Sequence, residues 1–447
     1  MGVLPGRCDL LVAPETGSIE VRIGFSARTD VGLTRQFNED SYFMDEELGL
    51  FVVADGMGGA HGGEIASRMA CDEIHRHVEA NYDLVRRFAA GKSSPSVKDV
   101  SELLVAAVQQ ACSSVYRRAR EEKELSGMGT TVVVLLSAGE HLFMAHVGDS
   151  RIYLMRAGRI HQLTRDHSLV EELKRLGKIT TQEEVKSKYR NAITRAVGIY
   201  ETVQADTLDM MPLTNDRFLL CTDGLHSTTG EQDLIRLLGN KNPENSADDL
   251  VRHANSKGGR DNITCLLVDV LETEPQRAEL TQCKLNTLKS VPLFRYLNFE
   301  ELLKVVSAVE ERKFAAGEVV FREEEEGDAL YVLLAGEVEV SRKDTVITRL
   351  NAGDHFGELS LPDRFPRSAS IRTLEPCLCL VMSRQRFYEI IREYSALSVK
   401  LLWCLARVCS VRLRDTTGEL ELARSLVARV KLPPAPDAPF EDDEKPD

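Results

Sequence analysis

The chain lacks any apolar run approaching the ~18 residues that a membrane-crossing helix needs. Its first residues show no basic segment followed by an apolar one, as a secretion signal would. Met1-Gly2 is followed by Gly6 where an acylation motif wants Ser or Thr. These absences predict a cytoplasmic protein without a membrane partner. Positive charge is also in deficit: 56 Lys and Arg against 70 Asp and Glu give a formal net charge of -14. General attraction to phosphate backbones or anionic surfaces is therefore not expected, and nucleic acid is not an expected partner. The ten cysteines include no CxxC pair, and Cys377 and Cys379 lie too close along a strand for a zinc knuckle. They read as reduced, mostly buried thiols.

What is present is globular. Hydrophobic residues make up 43% and charged residues 28%. At roughly 100 to 200 residues per domain, a chain of 447 residues reads as two or three domains. Residues 1–20, with Gly and Pro and no periodicity, read as an irregular arm. From 21 to 272, short runs rich in Val, Ile, Leu and Phe predict buried strands at Leu48 to Ala54, Thr131 to Leu136, Leu142 to Val147, Arg151 to Met155, Arg217 to Cys221 and Ile263 to Val270. Helical spacing appears at Glu64 to Glu79 and Val100 to Glu124. A linker helix is expected within 273–290. A second domain at 291–414 then reads as a helix at Glu300 to Val309 and many short strands separated by glycine turns, the pattern of a small barrel or jelly roll. Helical periodicity returns from Ser383 to Arg414, and 433–447 is an acidic, proline-rich tail with the composition of disorder.

An acidic residue recurs where an apolar run of the first half ends: Asp55 after FVVA, Asp149 after AHVG, Asp223 after LLCT and Asp261 before NITCLLV, with Asp40 as a fifth. A single such Asp is more often a turn or helix cap. Several on neighbouring strands would repel one another and raise each other's pKa values. Hard divalent cations relieve that repulsion, and an all-oxygen donor set points to magnesium or manganese. The run Asp55-Gly56-Met57-Gly58-Gly59 lets the backbone turn sharply and bring a carbonyl towards a cation. Arg35 carries a planar fork suited to phosphate oxygens; the alternative is a salt bridge to Glu39 or Asp40.

Over residues 20 to 272 the motif series resembles the protein phosphatase 2C family: RQFNED (Arg35 to Asp40), VADGMGGAHGGEIAS (Val53 to Ser67), Gly129-Thr130-Thr131, VGDSR (Val147 to Arg151), LTRDHS (Leu163 to Ser168), TRAVG (Thr194 to Gly198), CTDGL (Cys221 to Leu225) and GGRDNIT (Gly258 to Thr264). The resemblance implies an α+β fold, a four-layer αββα sandwich, with two Mn2+ or Mg2+ ions. Asp55 would bridge them, the Gly56 carbonyl would complete one shell, Asp223 and Asp261 would ligate the other ion, and Asp40 would act through water. Arg35 would hold the substrate phosphate, and Asp149 with Asp223 would carry a third, weaker metal. Metal-activated water would then attack phosphorus in line. Met57 stands where eukaryotic relatives carry a histidine proposed as the acid for the leaving alkoxide. His61 is read as a plain loop residue and His167 as structural. Arg165 to Val197 corresponds to the family's flap.

In the second half, Phe356-Gly357-Glu358-Leu359-Ser360 and Phe365-Pro366-Arg367-Ser368-Ala369 place a Glu and an Arg nine residues apart. Spacing alone fits either an anion site or a surface salt bridge. The stretch resembles the phosphate-binding cassette of cyclic-nucleotide-binding domains, a similarity that extends over 291 to 410 through Gly317-Glu318, Gly327-Asp328 and Ala335-Gly336-Glu337. It implies that Arg367 pairs with the cyclic phosphate and Glu358 with the ribose 2'-hydroxyl, with Gly357, Leu359 and Ser368 lining the pocket. Cyclic AMP is favoured over cyclic GMP.

The chain therefore reads as a metal-dependent protein serine/threonine phosphatase acting on phosphorylated proteins and regulated by a cyclic nucleotide. The alternatives are a catalytically silent, nucleotide-responsive scaffold, and a phosphatase whose second domain only targets or dimerises it. The sequence leaves oligomeric state open.

Overall fold

The structure is a computed structural model that describes residues 21–58, 62–91, 94–175, 178, 192–239, 243–343, 345–362 and 366–429. The arm at 1–20, the loop residues Gly59, Ala60 and His61, the flap residues 179–191, Phe365 and the acidic tail lie outside the described residues.

The apolar runs of the first half are continuous because both faces of each strand are buried. In β3 (Leu50–Met57), Phe51 and Val53 enter one core while Leu50, Val52 and Ala54 enter another. One sheet has the order β1 (Arg22–Asp30), β11 (Ile263–Glu272), β10 (Arg217–Cys221), β7 (Arg151–Arg156), β8 (Arg159–Gln162). The other has the order β2 (Asp40–Asp45), β3, β5 (Val132–Ala138), β6 (His141–Val147), β9 (Asp206–Met210), with β4 (Gly129–Thr130) pairing with β3. Neighbours run antiparallel.

The sheets face each other through Phe51, Val133, Leu135, Leu154, Phe218, Leu220 and Leu266. Outside the second sheet lie α1 (Gly62–Ala80) and α3 (Val97–Glu121), which contribute Ala66, Ala70, Ile74, Leu104 and Ala107; the short α2 (Tyr82–Ala89) runs between them. A capping box opens α3, with Ser96 N–H donating to the Asp99 carboxylate at 2.6 Å. The helices Glu231–Leu238 and Pro243–Ser256 cover the first sheet through Leu234, Leu238, Leu250 and Ala254. These are the four αββα layers that the resemblance implies.

Past β11 a connecting helix, Pro275–Ser290, starts with Pro at a position that needs no N–H donor. A docking helix, Phe299–Ala308, begins in a capping box between Asn298 and Glu301. Two antiparallel four-stranded sheets follow, ordered β12 (Glu310–Phe314), β19 (Cys377–Ser383), β14 (Ala329–Ala335), β17 (His355–Phe356) and β13 (Val319–Phe321), β18 (Ser370–Thr373), β15 (Glu337–Arg342), β16 (Thr345–Asn351). Tyr331, Leu333, Val338, Phe356 and Cys379 fill the space between them, as expected of a jelly roll. The alternate residues Leu330, Val332, Leu378 and Leu380 face outwards and join the same apolar cluster as the inter-sheet core of the first half, by way of Leu285, Leu288, Phe294, Leu302 and Leu303. A long helix over Ser395–Arg429 is the last described element.

β8 and β9 are the edges of the two first-half sheets, and the docking helix meets both. Phe299 stacks on His161 of β8 with ring centroids 4.0 Å apart. Ser307 Oγ donates to the Asp209 main-chain oxygen of β9 at 3.3 Å. An edge covered in this way is not available for pairing with another chain.

The Arg156 guanidinium lies 5.7 Å from the centre of the Phe299 ring and holds Asp216 in a two-pronged pair, at 2.8 Å through Nε and 2.5 Å through Nη2. The two side chains are 7% and 2% exposed. Asp216→Ala leaves that cation buried without a counter-charge, and urea unfolding followed by circular dichroism is expected to show a loss of about 3–5 kcal/mol.

Candidate active site and nucleotide pocket

The acidic residues of the first half gather where the two sheets open at one end. β3 runs past Asp55 to Met57, so Asp55 is not at a strand end as the sequence suggests; it lies within β3, directly opposite Asp40 of β2. Asp223 opens a short helix, Asp223–His226, after β10, and Asp261 lies in the turn before β11. Asp149 follows β6, and its main-chain oxygen is 3.0 Å from His226 Nε2.

Their proximity is visible in their titration. Burial, then the charges of Asp40, Asp223, Asp149 and Asp261, hold the Asp55 carboxyl well above its ordinary value. Burial also raises Asp40, offset by hydrogen bonds from Thr264 and Thr222 and reinforced by the charges of Asp223 and Asp261. Asp149 is pushed up to about 7 by burial and then by Asp223. Thr222 Oγ1 donates to Asp40 Oδ2 at 2.9 Å, whereas Asp40 Oδ1 is buried with no hydrogen-bond partner among the described residues. A buried acceptor without a donor is a cost that a bound cation or its water removes. The all-oxygen donor set and this orphaned atom fit a divalent-cation site.

The surrounding backbone is tightly held. Asn262, in the DNIT stretch, donates through Nδ2 to the Val31 and Phe37 carbonyls at 3.0 and 2.9 Å and accepts from Glu39 N–H at 2.9 Å. Asp55 N–H donates to Thr131 Oγ1 at 3.0 Å, and Thr130 Oγ1 donates back to the Asp55 carbonyl at 2.8 Å. At Gly56 a side chain would meet the Gly63 carbonyl at 2.0 Å, so no other residue fits. Arg35 Nη2 donates to Asp261 Oδ2 at 2.9 Å, about half of its side chain stays exposed, and the charges of Asp261, Glu39 and Asp55 act on it. Met57 follows Gly56 on β3.

A second cluster was not read from the sequence. His146 and His167 stack with centroids 4.8 Å apart, and with Asp206 they bring ligand-type atoms within 4.8 Å of one another. Arg195 Nη1 already donates to Asp206 Oδ1 at 2.8 Å and stands 3.3 Å from His167 Nε2, so a fixed cation occupies that corner. Burial raises the Asp206 carboxyl, but its hydrogen bond to His167 and the charges of His167, His146 and Arg195 outweigh this and hold it far below the usual range. The cluster is an anchor. His167 N–H donates to the Gly148 carbonyl at 2.9 Å, Gly148 N–H donates to His167 Nδ1 at 3.2 Å, and Thr194 N–H donates to the His167 carbonyl at 2.7 Å. This structural role is the one expected of His167.

In the second half, Glu358 and Arg367 are 1% and 5% exposed, which removes the surface salt bridge as a reading. Arg367 Nη1 donates to Ser360 Oγ at 2.8 Å and to the Ala329 carbonyl at 3.1 Å, and its guanidinium lies 4.0 Å from the centre of the Phe321 ring. Its Nε is buried without an acceptor among the described residues. Gly357 is left-handed, and a side chain there would strike Arg367 Nη1 at 2.7 Å. Among the described residues both Glu358 oxygens lack an aligned hydrogen bond, although Arg412 of the C-terminal helix brings Nη1 to 2.6 Å from one of them. That contact is ionic, with poor donor geometry. Leu359 and Ser368 are exposed beside the pair. The orphaned polar atoms of Glu358 and Arg367 fit a ligand that carries an anion and a hydroxyl.

Comparison with known proteins agrees with both halves. The model for protein phosphatase 2C matches residues 34–271, and that for the cyclic nucleotide-binding domain matches 311–394. A serine/threonine phosphatase of Listeria innocua is 35% identical over 246 residues, 54% of this chain and 94% of the relative. The protein phosphatase PhpP of Streptococcus pneumoniae is 33% identical over 256 residues, 56% of this chain and 99% of the relative. Among solved structures, a Staphylococcus aureus serine/threonine phosphatase superposes with a TM-score of 0.51 at 29% identity, covering 58% of this chain and all of that one. The chain belongs to the protein phosphatase 2C family and carries a cyclic nucleotide-binding domain after the phosphatase fold. No helix among the described residues is long and apolar enough to cross a membrane.

His146 gives a measurable consequence. Burial, then the charge of His167, pushes its pKa down to about 4. In the unfolded chain it titrates near its ordinary value of about 6.5, so protons bind the unfolded state better. Stability is full above about pH 6.5, falls as the pH drops towards 4 and levels off below, for a loss of up to about 3 kcal/mol from this group. Urea titrations between pH 7 and 4 are expected to show a flatter profile for His146→Asn than for the parent.

Proposed function

We propose that the chain is a metal-dependent protein serine/threonine phosphatase whose activity is set by a cyclic nucleotide bound in the second half, cyclic AMP in preference to cyclic GMP. The observation that carries the phosphatase reading is the buried acidic centre, with Asp55 raised by burial and then by four neighbouring carboxylates, and with Asp40 Oδ1 lacking a partner among the described residues. Asp40, Asp55, Asp223, Asp261 and the Gly56 carbonyl would hold two Mn2+ or Mg2+ ions, and Asp149 with Asp223 a third, weaker one. When bound, such ions acidify water and offset charge on phosphoryl oxygens.

The protein's own groups supply position. Arg35, half exposed and tethered to Asp261, has further N–H donors to offer a phosphate. Asn262 fixes the loop that carries it, and Thr222 engages Asp40 Oδ2, leaving Oδ1 as an open acceptor among the described residues. His167 and Arg195 pin the segments on either side of residues 179–191, and through Gly148 they steady the approach to Asp149.

For the second half the support is the buried Glu358 and Arg367, with Arg367 for a cyclic phosphate and Glu358 for a ribose hydroxyl. The docking helix supplies a route between the halves. It touches β8 and β9, and Lys304 on it lies close enough to act on the charge of His146. A coupling of about 1–3 kcal/mol is typical of such links.

With Mn2+ present, Asp55→Asn is expected to lower phosphopeptide hydrolysis by about a thousand-fold; unchanged turnover would refute the metal assignment. Calorimetric titration is expected to detect cyclic AMP binding to the parent and none to Arg367→Ala. At saturating, confirmed binding, the hydrolysis rate should change by about 5- to 150-fold. Binding without any rate change would reduce the second half to a targeting module.

A further inference from the structure

The turn that bears Asp261 is locked from two sides. On one, Gly258 N–H donates to the Asn255 carbonyl at 3.0 Å and Gly259 N–H to the Ala254 carbonyl at 3.3 Å, which ties the turn to the end of the helix Pro243–Ser256. On the other, Leu33 N–H donates to the Gly259 carbonyl at 2.7 Å, and Asn262 Nδ2 holds the Val31 and Phe37 carbonyls. Two left-handed glycines make the fit possible. At Gly32, φ +78, a side chain would lie 2.3 Å from the Asp261 carbonyl, and at Gly259, φ +48, it would lie 2.4 Å from Asn255 Oδ1. The turn and the loop that carries Arg35 therefore form one fixed base.

Arg260 stands on this base, next in sequence to Asp261, whose carboxylate accepts from Arg35. Its Cα is thus about 3.8 Å from that of Asp261. The side chain is exposed and lies back along the turn, with Nε 3.8 Å from where a Cβ at Gly258 would sit. Arg28 and Arg252, on β1 and the neighbouring helix, have Asp248 and Asp249 as counter-charges. Among the described residues the Arg260 side chain has neither an ion pair nor a hydrogen bond. Many surface arginines are merely solvated. This one is a cation without a counter-charge, on a rigid backbone, one residue from a carboxylate of the acidic centre.

A phosphorylated segment that brings its phosphate to Arg35 passes over this base. An extended chain advances about 3.3–3.6 Å per residue, so a side chain within about three positions of the phosphorylated one comes within reach of Arg260. The net charge of -14 opposes an acidic segment from afar, but salt screens that field beyond about 10 Å. Divalent cations at the acidic centre offset its carboxylates, which leaves Arg260 as the local charge that a flank meets.

Resting on the phosphatase reading above, we infer that Arg260 is a specificity-determining residue that favours phosphopeptides with a carboxylate side chain within about three positions of the phosphorylated residue. The ion pair exists before and during reaction alike, so it acts on KM and leaves kcat nearly alone.

The test uses the full chain with Mn2+ and matched phosphothreonine peptides that carry Glu, Gln or Lys at one flanking position, scanned on both sides. At the best position the parent is expected to favour Glu over Gln by about five-fold in kcat/KM, through KM, as an exposed ion pair allows. That preference should shrink in about 0.5 M salt. In Arg260→Gln the ratio should fall towards one, and Arg260→Glu should turn the preference towards Lys, with thermal unfolding confirming that both variants fold. A parent indifferent to the flank at every position, or variants that keep the parent's ratio, overturn the inference. Hydrolysis of p-nitrophenyl phosphate, which has no flanks, separates the two readings. If the parent cleaves it while treating all peptides alike, only the specificity claim fails; if nothing is cleaved, the phosphatase reading fails and the inference falls with it.

Discussion

Mutual repulsion among buried carboxylates is the constraint around which the first half is organised. Asp40 and Asp55 face each other across neighbouring strands, and Asp149, Asp223 and Asp261 close in from others. Ionised groups placed so close inside a protein are costly unless compensated. The scaffold that tolerates this is stiff: two sheets packed face to face, each backed by helices, with threonine hydroxyls and Asn262 holding the acidic segments in place. A softer frame would let the charges drift apart, and the strain would vanish along with the affinity for cations that relieve it.

Much of the scaffold is legible in the sequence because the buried strands are apolar on both faces. β5, β6, β7, β10 and β11 fall where the runs of Val, Leu and Ile place them. β1, β2 and β9 do not stand out, since the exposed Arg28 and the half-buried Ser41 and Asp209 interrupt their apolar character. The acidic centre was foreshadowed by where Asp recurs, but not its register: that Asp55 lies within β3 opposite Asp40 depends on pairing, which composition does not encode. Asn262 and Thr222 lay unremarked inside the motifs that flank Asp261 and Asp223; a polar residue next to a strand-end aspartate was the available signal. The His146, His167, Asp206 and Arg195 cluster draws on segments up to sixty residues apart, and no local pattern announces it.

The second half is joined to the first by more than a tether. One apolar cluster runs from Phe51 between the phosphatase sheets, through Leu288 and Phe294, to Leu330 and Leu401 beyond. Interiors packed at this density transmit displacement rather than absorb it. Phe299 and Ser307 add directional contacts at the sheet edges, and Lys284 of the connecting helix pairs with Glu311 of β12 at 2.5 Å. A shift of the docking helix would therefore be felt at β8 and β9 together, on either side of the inter-sheet core.

Glu358 has one charge to share, and Arg412 already lies beside it. That arginine belongs to a helix of 35 residues, so under the proposed binding a guest hydroxyl that reaches the carboxylate would share it with the helix. Linked equilibria would then make helix seating and guest binding change one another by equal factors. Under the proposed nucleotide binding, Arg412 would link the C-terminal helix to the pocket through one side chain.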